Sequence, residues 1–344
     1  MAHELSIRET GKVEMAYTGE TPWHGLGQEV TQGASIGVWT REAGMDWQAK
    51  QAPVFYHVSK DKPGSPRNAV DHKVIYRSDT GDALAVMGSK YNIVQPVDVL
   101  EFFRDLTEDD GWYIHTAGVL RGGRKLWAMA SNGESGEVTR KGSAKDPVTQ
   151  NLLLATSLDG SMKTIAALTA IRVVCANTLA IALQDSGEKL QVSHRSIFDP
   201  SAIKRALGVS HESFKVFMEK AREMADTPIQ LDESLDVLRC IFGSPVAQQA
   251  PDANWMGKLT ALASAPVIPE AKESRVVSRI LELFDGAGMG ADLKTAKGTR
   301  WGLFNAITQH VDQEMGRSDD TRLDSAWFGR GQGFKQQAFE ELTT

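Results

Sequence analysis

The sequence predicts an α+β fold: an antiparallel, β-hairpin-rich N-terminal half with packed helices, followed by a mainly helical C-terminal half. Two patterns carry this prediction. In the first half, short apolar runs are separated by turn-forming residues, as in β-hairpins. In the second half, apolar residues recur at the spacing of amphipathic helices. We therefore expect two domains, residues 1–185 and residues 186–344, the second ending in an aromatic tail.

Three pairs of apolar runs predict three antiparallel hairpins. The paired runs are Lys73–Arg77 with Ala83–Met87, Trp112–Leu120 with Lys125–Ser131, and Leu152–Leu158 with Met162–Val174. The third hairpin has the strongest signal, because an Asp159-Gly160 pair between apolar runs favours a tight turn. Residues 132–146 are rich in Gly, Ser and Lys, which predicts a mobile loop between the second and third hairpins.

Helices are expected on both sides of these hairpins. Pro96 suits the first turn of one, because its missing N–H would have no partner there. Asn177 is predicted to cap another, which reaches Leu183. The later helices are predicted at Pro200–Leu207, after Ser210, and at Leu231–Phe242, Trp255–Ala263, Lys272–Phe284 and Trp301–Met315. The aromatic residues Trp327, Phe328, Phe334 and Phe339 predict a tail that docks on the body or on a neighbouring subunit.

The composition limits the classes of protein that fit. Apolar residues make up 41% of the 344 residues, which allows a sizeable core, and the net charge is −6. That charge argues against a protein that coats DNA over its whole surface, but it permits a local basic patch. The absence of an export signal and of a long apolar run predicts a cytoplasmic protein that does not span a membrane. Cys175 and Cys240 are too few for a disulfide framework or a four-thiolate metal site.

Charge placement gives the main functional signal. Between Gly111 and Cys175 lie eight basic and four acidic residues, a net charge of +4, against −10 for the remainder. Three aromatic residues, Trp112, Tyr113 and Trp127, are interleaved with these cations. A positive sheet face with aromatic rings can follow phosphates and stack unpaired bases, whereas the plainer alternative is a solvated sheet face over core aromatics. The predicted nucleic-acid contacts are Arg121, Arg124, Lys125, Arg140, Lys141, Lys163, Arg172, Trp112, Tyr113 and Trp127.

Strand alternation restricts this set. Lys163 and Arg172 are nine positions apart, so a regular strand places them on opposite faces. At most one of them can face a common groove, and Arg172 could instead form a buried ion pair. The hairpin Trp112–Ser131 is therefore the better candidate for ligand binding, and residues 150–183 are the better candidate for scaffold.

Other chemistry has weaker support, and we predict no catalytic residue, no metal site and no cofactor. Gly286–Gly290 fails as a phosphate loop, because Lys294 lies four residues beyond Gly290 and no strand precedes it. We expect a flexible hinge between two helices there. A loose nuclease pattern of Asp252, Glu270 and Lys272 lacks the adjacent strands that would hold a metal ion.

Several blocks together resemble the phage/plasmid-like proteins of unknown function. They are TPWHGLG, GSKYNIVQP, GGRKLWAMA, SLDGSMKTIAALTAIRVVCANTLAIAL and RLDSAWFGRGQGFKQQAFE, which span nearly the whole chain. The resemblance implies a protein of a bacteriophage or another mobile element in a bacterial host, and it supplies no catalytic residues. The hairpins with a packed helix also resemble, at the level of fold, single-strand annealing proteins of the Rad52/RecT type.

Three functions are consistent with these features. The first is a non-enzymatic DNA-binding protein that anneals single strands in recombination, as a homo-oligomer bound to single-stranded DNA. The second is a protein-interaction or host-takeover factor, which predicts dispersed surface charges. The third is a metal-dependent nuclease, which requires Asp252, Glu270 and Lys272 to converge in one cleft.

Overall fold

The computed structural model of the protein describes residues 5–19, 21–22, 25–58, 65–108, 111–140, 142, 144–172, 177–180, 190–207, 211–242, 274–315, 325–326 and 329–344. Within them the fold is α+β, as predicted. Strands dominate the N-terminal half, and helices follow toward the C-terminus.

A large sheet runs through the first half of the chain. Its strands are β1 (Met15–Tyr17), β2 (Gln28–Glu29), β6 (Tyr113–Leu120), β7 (Lys125–Val138), β8 (Asp146–Ser157), β9 (Thr164–Arg172), β10 (Asn177–Ala180) and β11 (Leu190–Val192). Their order across the sheet is β10-β9-β8-β7-β6-β1-β2, and β11 also pairs with β9. The pairing is antiparallel except between β1 and β2.

A second, smaller antiparallel sheet has the order β3-β4-β5. Its strands are β3 (Ala49–Tyr56), β4 (Arg67–Arg77) and β5 (Ala83–Gly88). The predicted β4–β5 hairpin is therefore confirmed. The β6–β7 and β8–β9 hairpins are confirmed in the large sheet.

The predicted loop over residues 132–146 is wrong for most of its length. β7 continues to Val138, and its pairing with β8 extends from Ser135↔Thr149 to Val138↔Asp146 after an irregularity near Ser131. Val138 and Val148 are both fully buried. Burial of this end of the hairpin stabilises strand structure that the Gly- and Ser-rich composition concealed.

The helix predicted to start at Asn177 is also wrong. Asn177–Ala180 is strand β10, which pairs antiparallel with β9 from Asn177↔Arg172 to Ala180↔Thr169. Pairing with the edge of β9 satisfies the backbone hydrogen-bonding groups of this segment. A short apolar run fits a strand or a buried helix equally well by pattern alone.

Nine helices are assigned within the described residues. They are α1 (Ile36–Glu42), α2 (Pro96–Glu101), α3 (Arg104–Glu108), α4 (Pro200–Leu207), α5 (His211–Asp226), α6 (Leu231–Phe242), α7 (Arg275–Glu282), α8 (Arg300–Gln309) and α9 (Arg330–Thr343). Pro96 opens α2 as predicted, beside a capping box formed by Gln95 and Asp98. Residues 310–314 add a π-helical turn after α8. After α7, the turn over residues 283–287 is broken at Gly286, whose φ is 125°. The predicted helix at Trp255–Ala263 lies outside the described residues.

Apolar packing joins the large sheet to the helices. One core packs the sheet against α1 and α2 and includes Trp39, Phe102 and Phe103. Another packs α5 to α9 against Val138 and Val148 of the sheet. A third, smaller core contains Trp127.

The C-terminal segment docks on the body, as its aromatic residues predicted. Phe339 of α9 is buried and stacks on Phe217 of α5, with 5.5 Å between ring centroids. Lys335 of α9 is buried as well, and its Nζ donates to Asp312 Oδ1 at 2.8 Å. The docked segment is thus held by apolar contacts and one buried ion pair. Trp327 and Phe328 lie outside the described residues.

Candidate nucleic-acid interface

Three residues of the predicted contact set lie in the interior, which corrects their assignment. Trp127 is 1% exposed and belongs to a hydrophobic core, so in this conformation it cannot stack on a base. Lys125 is also buried. Arg172 is fully buried, as the ion-pair alternative predicted. Both faces of β7 are covered by core residues, since residues 125–131 are all buried, and the charge count along the chain takes no account of burial.

Arg172 is the centre of a buried polar cluster, called here the Arg172 cluster: Arg172, Asp146, Thr295 and Trp301. Arg172 Nε and Nη2 donate to the two carboxylate oxygens of Asp146 at 2.7 and 2.8 Å. Thr295 Oγ1 and Trp301 Nε1 donate to the same carboxylate at 2.8 and 3.0 Å. Such bidentate, charge-assisted bonds are strong and geometrically specific. The cluster therefore fixes the sheet to α8.

The Arg172 cluster also holds the glycine segment between α7 and α8. Arg172 Nη1 and Nη2 donate to the carbonyl oxygens of Met289 and Gly290 at 3.4 and 3.3 Å. The break predicted at Gly286–Gly290 is confirmed, since α7 ends at Glu282 and α8 begins at Arg300. These contacts give the segment a structural role, and Arg172 is unavailable to phosphate.

The remaining predicted cations do not form one patch. Arg124 immediately precedes β7, and Arg140 follows its last residue by two. A strand of 14 residues separates them by about 40 Å. Arg140 Nη1 donates to the Lys294 carbonyl at 3.2 Å, near the helices, and Lys141 lies outside the described residues. The net charge of +4 is therefore divided between opposite ends of the sheet.

Arg124 and Lys163 are exposed at the end of the large sheet that adjoins the small one. Arg124 Nε donates to the Leu84 carbonyl of β5 at 3.1 Å, and its own carbonyl accepts from Leu158 N at 2.7 Å. Arg121 is half-buried in the same turn. Arg121 takes a left-handed backbone, with φ of 55°, and Gly122 and Gly123 continue this left-handed turn.

Trp112 and Tyr113 are half-buried. Trp112 packs against the larger core beside the sheet, so most of its role is structural. The better aromatic candidates lie on the small sheet.

A groove of about 510 Å³ runs along the small sheet and carries two cations, Lys50 and Lys73. We call it the basic groove; its lining residues are Ala49, Lys50, Gln51, Lys73, Tyr76, Tyr91, Asn92, Ile93 and Gln95. Lys50 is exposed, and Lys73 is half-buried with its Nζ donating to the Tyr91 carbonyl at 2.7 Å. The lining contains amides and phenols but no carboxylate among the residues that the structure describes. Such a lining suits an anionic ligand.

Tyr91 forms a rigid wall of the basic groove. Its hydroxyl donates to the Ser157 carbonyl at 2.7 Å, and its ring stacks on His194 with 4.5 Å between centroids. Burial raises the pKa of Tyr91 to about 12, so the phenol is neutral at pH 7. Burial also lowers the pKa of His194, whose ring nitrogens lie 3.3 and 3.1 Å from the carbonyl oxygens of Asn92 and Met162.

Beyond the basic groove, β3 and β4 project as a two-stranded arm. We define the arm as residues 53–58 and 65–72, because the pairing of β5 with β4 reaches only to His72. Phe55 and Tyr56 are 56% and 49% exposed. Arg67, directly opposite Tyr56, is exposed as well.

The arm and the basic groove carry a net positive charge. Among the described residues of the arm and the basic groove, three are basic and one is acidic, a net charge of +2; they are Lys50, Arg67, Lys73 and Asp71. No ion pair joins Lys50 or Arg67 to a carboxylate within the described part of the chain. The sequence signal that could have identified this surface is the aromatic pair Phe55-Tyr56 beside a Lys- and Pro-rich loop.

Two further features bear on function. No group of three or more His, Cys, Asp or Glu side chains in the described ranges could hold a metal ion. Asp252, Glu270 and Lys272 of the nuclease hypothesis lie outside those ranges.

None of the helices assigned within these ranges combines the length and apolar character needed to cross a membrane.

The fold and this surface define an α+β protein with an exposed cationic and aromatic face. Residues 83–327, more than half of the chain, match the family described as a domain of unknown function (DUF932). The chain belongs to this family. The matched segment begins at β5, so it contains the Arg172 cluster, while β3 and β4 precede it. No curated protein and no solved structure matches the chain.

Proposed function

We propose that this protein binds single-stranded DNA through the basic groove and the arm, with Arg124 and Lys163 extending the contact. The observation that carries the proposal is that Lys50 and Lys73 line a groove next to the exposed rings of Phe55 and Tyr56 on β3. The two rings project from opposite faces of the arm, so one of them can face a strand that leaves the groove. Cations in a groove follow the phosphates, and aromatic rings stack the bases. Stacking on Phe55 or Tyr56 requires unpaired bases, which favours a single strand over a duplex.

The charge of the whole molecule supports a localised contact. The chain carries −6 overall, while the described residues of the arm and the basic groove carry +2. A polyanion is repelled by most of such a surface and attracted to one place on it. Affinity for DNA is therefore expected to depend on few residues.

The biological setting belongs to the same proposal. The sequence blocks resemble proteins of phages and mobile elements, which favours a role in recombination in the bacterial cytoplasm. An antiparallel sheet with packed helices is also the arrangement expected of a single-strand annealing protein, and we extend the proposal to annealing by a homo-oligomer. These statements rest on resemblance and fold-level analogy.

The test is fluorescence anisotropy of a labelled oligo(dT) titrated with the protein over a range of salt concentrations. Replacing Lys50 and Lys73 together with Gln should weaken binding about 10- to 30-fold at 0.1 M salt, because two phosphate contacts are lost. The slope of log Kd against log salt should fall by roughly 1.4. Phe55→Ala should weaken binding while leaving that slope unchanged, because stacking releases no counterions.

Arg140→Gln is the matched control, since it removes a cation at the opposite end of the large sheet. This variant should show the same slope of log Kd against log salt as the wild-type protein. Thermal unfolding of each variant checks that the fold is intact. No binding of oligo(dT) at low salt, or an equal effect of the control, would show that the proposal is wrong.

A protein-interaction role is the second candidate, and one observation favours it. Val58 and Val70 are 71% and 77% exposed on the same arm as Phe55 and Tyr56, so the arm presents exposed apolar side chains. If the arm binds a protein partner, we expect tight association with that partner. The strength of this association should not depend on the length of an added oligonucleotide. Absence of DNA binding at low salt is the outcome that favours this role.

A further inference from the structure

A second cleft, of about 430 Å³, shares the wall residues Asn92 and Ile93 with the basic groove. We call it the acidic cleft; its other lining residues are Val94, Asp98, Glu101, Thr164, Val192, Ser193, His194, Ser196, Ile197, Phe198 and Pro200. Its volume lies within the usual range for small-ligand sites. Its lining contains two carboxylates and no Lys or Arg among the residues described.

The chemistry of the acidic cleft complements that of the basic groove. Asp98 repels a phosphodiester, whereas Arg104 offsets the charge of Glu101. Ile93, Val94, Val192 and Phe198 provide apolar walls. A neutral, flat ring with hydrogen-bond donors fits this combination. A nucleobase on a strand held by the neighbouring groove has that character.

The carboxylates retain acceptor capacity for such a ring. Asp98 Oδ2 accepts from Gln95 N at 2.9 Å, and the two oxygens of Glu101 accept from Arg104 at 2.7 and 2.5 Å. Each carboxylate offers about four acceptor positions. Arg104 occupies the two-oxygen edge of Glu101, which keeps single acceptor positions, whereas Asp98 accepts one donor within the described part of the chain and keeps its second oxygen. Arg104 lowers the pKa of Glu101, which keeps this carboxylate ionised.

We propose that the acidic cleft receives one base of the bound strand and selects a base with amino donors, guanine foremost. This inference rests on the proposed function. Guanine presents adjacent N1–H and N2–H donors, which suit the two oxygens of Asp98, while Glu101 can accept one further donor beside Arg104. Thymine presents one N–H between two carbonyl oxygens, which face a carboxylate unfavourably.

The neighbouring structure positions the cleft beside the groove. His194 lines the cleft and stacks on Tyr91, which lines the groove, so one stacked pair separates the two sites. Thr164 Oγ1 is hydrogen-bonded to Thr156 Oγ1 at 2.8 Å, which fixes the inner wall. A strand that crosses Asn92 can therefore place its phosphates in the groove and one base in the cleft.

The experiment compares three short labelled oligonucleotides by anisotropy: oligo(dT), the same strand with one central deoxyguanosine, and the same strand with one central deoxyinosine. Deoxyinosine lacks only the amino group of deoxyguanosine. We expect the deoxyguanosine strand to bind at least about fivefold more tightly than oligo(dT). The deoxyinosine strand should lose most of that advantage.

Glu101→Gln should remove the deoxyguanosine preference, because one acceptor oxygen is replaced by a donor amide. Glu108→Gln is the matched control. Glu108 also pairs with Arg104, at 2.8 Å, but it does not line the cleft. It should therefore preserve the ratio of the two affinities.

The outcomes separate the two proposals. If oligo(dT) does not bind at low salt, the proposed function itself is wrong. If oligo(dT) binds but the three strands bind equally, or if both Gln variants reduce the preference alike, the base site is wrong. Guanosine alone should bind weakly when measured by calorimetry. If the nucleoside binds tightly while the three strands bind equally, the acidic cleft does not hold a base of the bound strand, and the proposal is wrong.

Discussion

Replacing Arg172 with Ala is expected to lower the free energy of unfolding by about 3–5 kcal/mol, the range expected when one partner of a buried ion pair is removed. The substitution leaves the Asp146 carboxylate fully buried without its cation, and among the described residues Thr295 and Trp301 still donate to it. It also removes the guanidinium from the carbonyls of Met289 and Gly290. Urea unfolding followed by circular dichroism measures the change.

Arg140→Ala provides the control at the same end of the sheet. Arg140 is half-buried and donates to the Lys294 carbonyl, so its loss should cost about 1 kcal/mol or less. In a double-mutant cycle, Arg172→Ala with Asp146→Ala should cost less than the sum of the single changes, because the two charges depend on each other. Strict additivity, or a loss no larger than that of Arg140→Ala, would contradict a stabilising role for this pair.

Replacing Gly302 with Ala is expected to destabilise the protein by about 3 kcal/mol or more, or to prevent folding, because overpacking against backbone cannot relax. A Cβ at this position would lie 1.8 Å from the carbonyl oxygen of Ala296. That oxygen also accepts from Thr299 N and Thr299 Oγ1, at 3.2 and 3.0 Å, which limits its movement. Thermal and urea unfolding measure the loss.

Gly333→Ala is the matched substitution in α9 and should act in the opposite direction. A Cβ there meets no atom within 4 Å. Ala in a helix interior is favoured over Gly by roughly 0.5–1 kcal/mol, so the variant should be slightly more stable. If both Gly variants changed stability equally, the close approach of α8 to Ala296 would not be the cause.

Local pattern was sufficient to predict the hairpins and most helices. The predicted strands on either side of Asp159-Gly160 are β8 and β9, which end at Ser157 and Arg172, and Leu231–Phe242 is a helix with the predicted bounds. Asn177 was predicted wrongly because a single Asn before a short apolar run suits a helix cap as well as a strand, and only the edge of β9 decides between them.

The candidate site was harder to predict, because it is assembled across strands. Lys50, Lys73 and Asn92 line the basic groove although they lie far apart in the chain. Their proximity depends on the β3–β4 register, which a linear charge count does not contain. Conversely, Arg124 and Arg140 are close in sequence, but an extended strand carries them to opposite ends of the sheet.

The position of β3 has a consequence for how the protein behaves when it is concentrated. Within the described residues β3 is an outer strand of the small sheet, and such strands offer backbone groups that recruit other chains into aggregates. Pro53 removes one donor from this strand, an irregularity between Pro53 and Phe55 interrupts its pairing, and Lys50 adds charge. These features discourage edge-to-edge assembly, so the apolar arm can stay exposed without seeding β-aggregation.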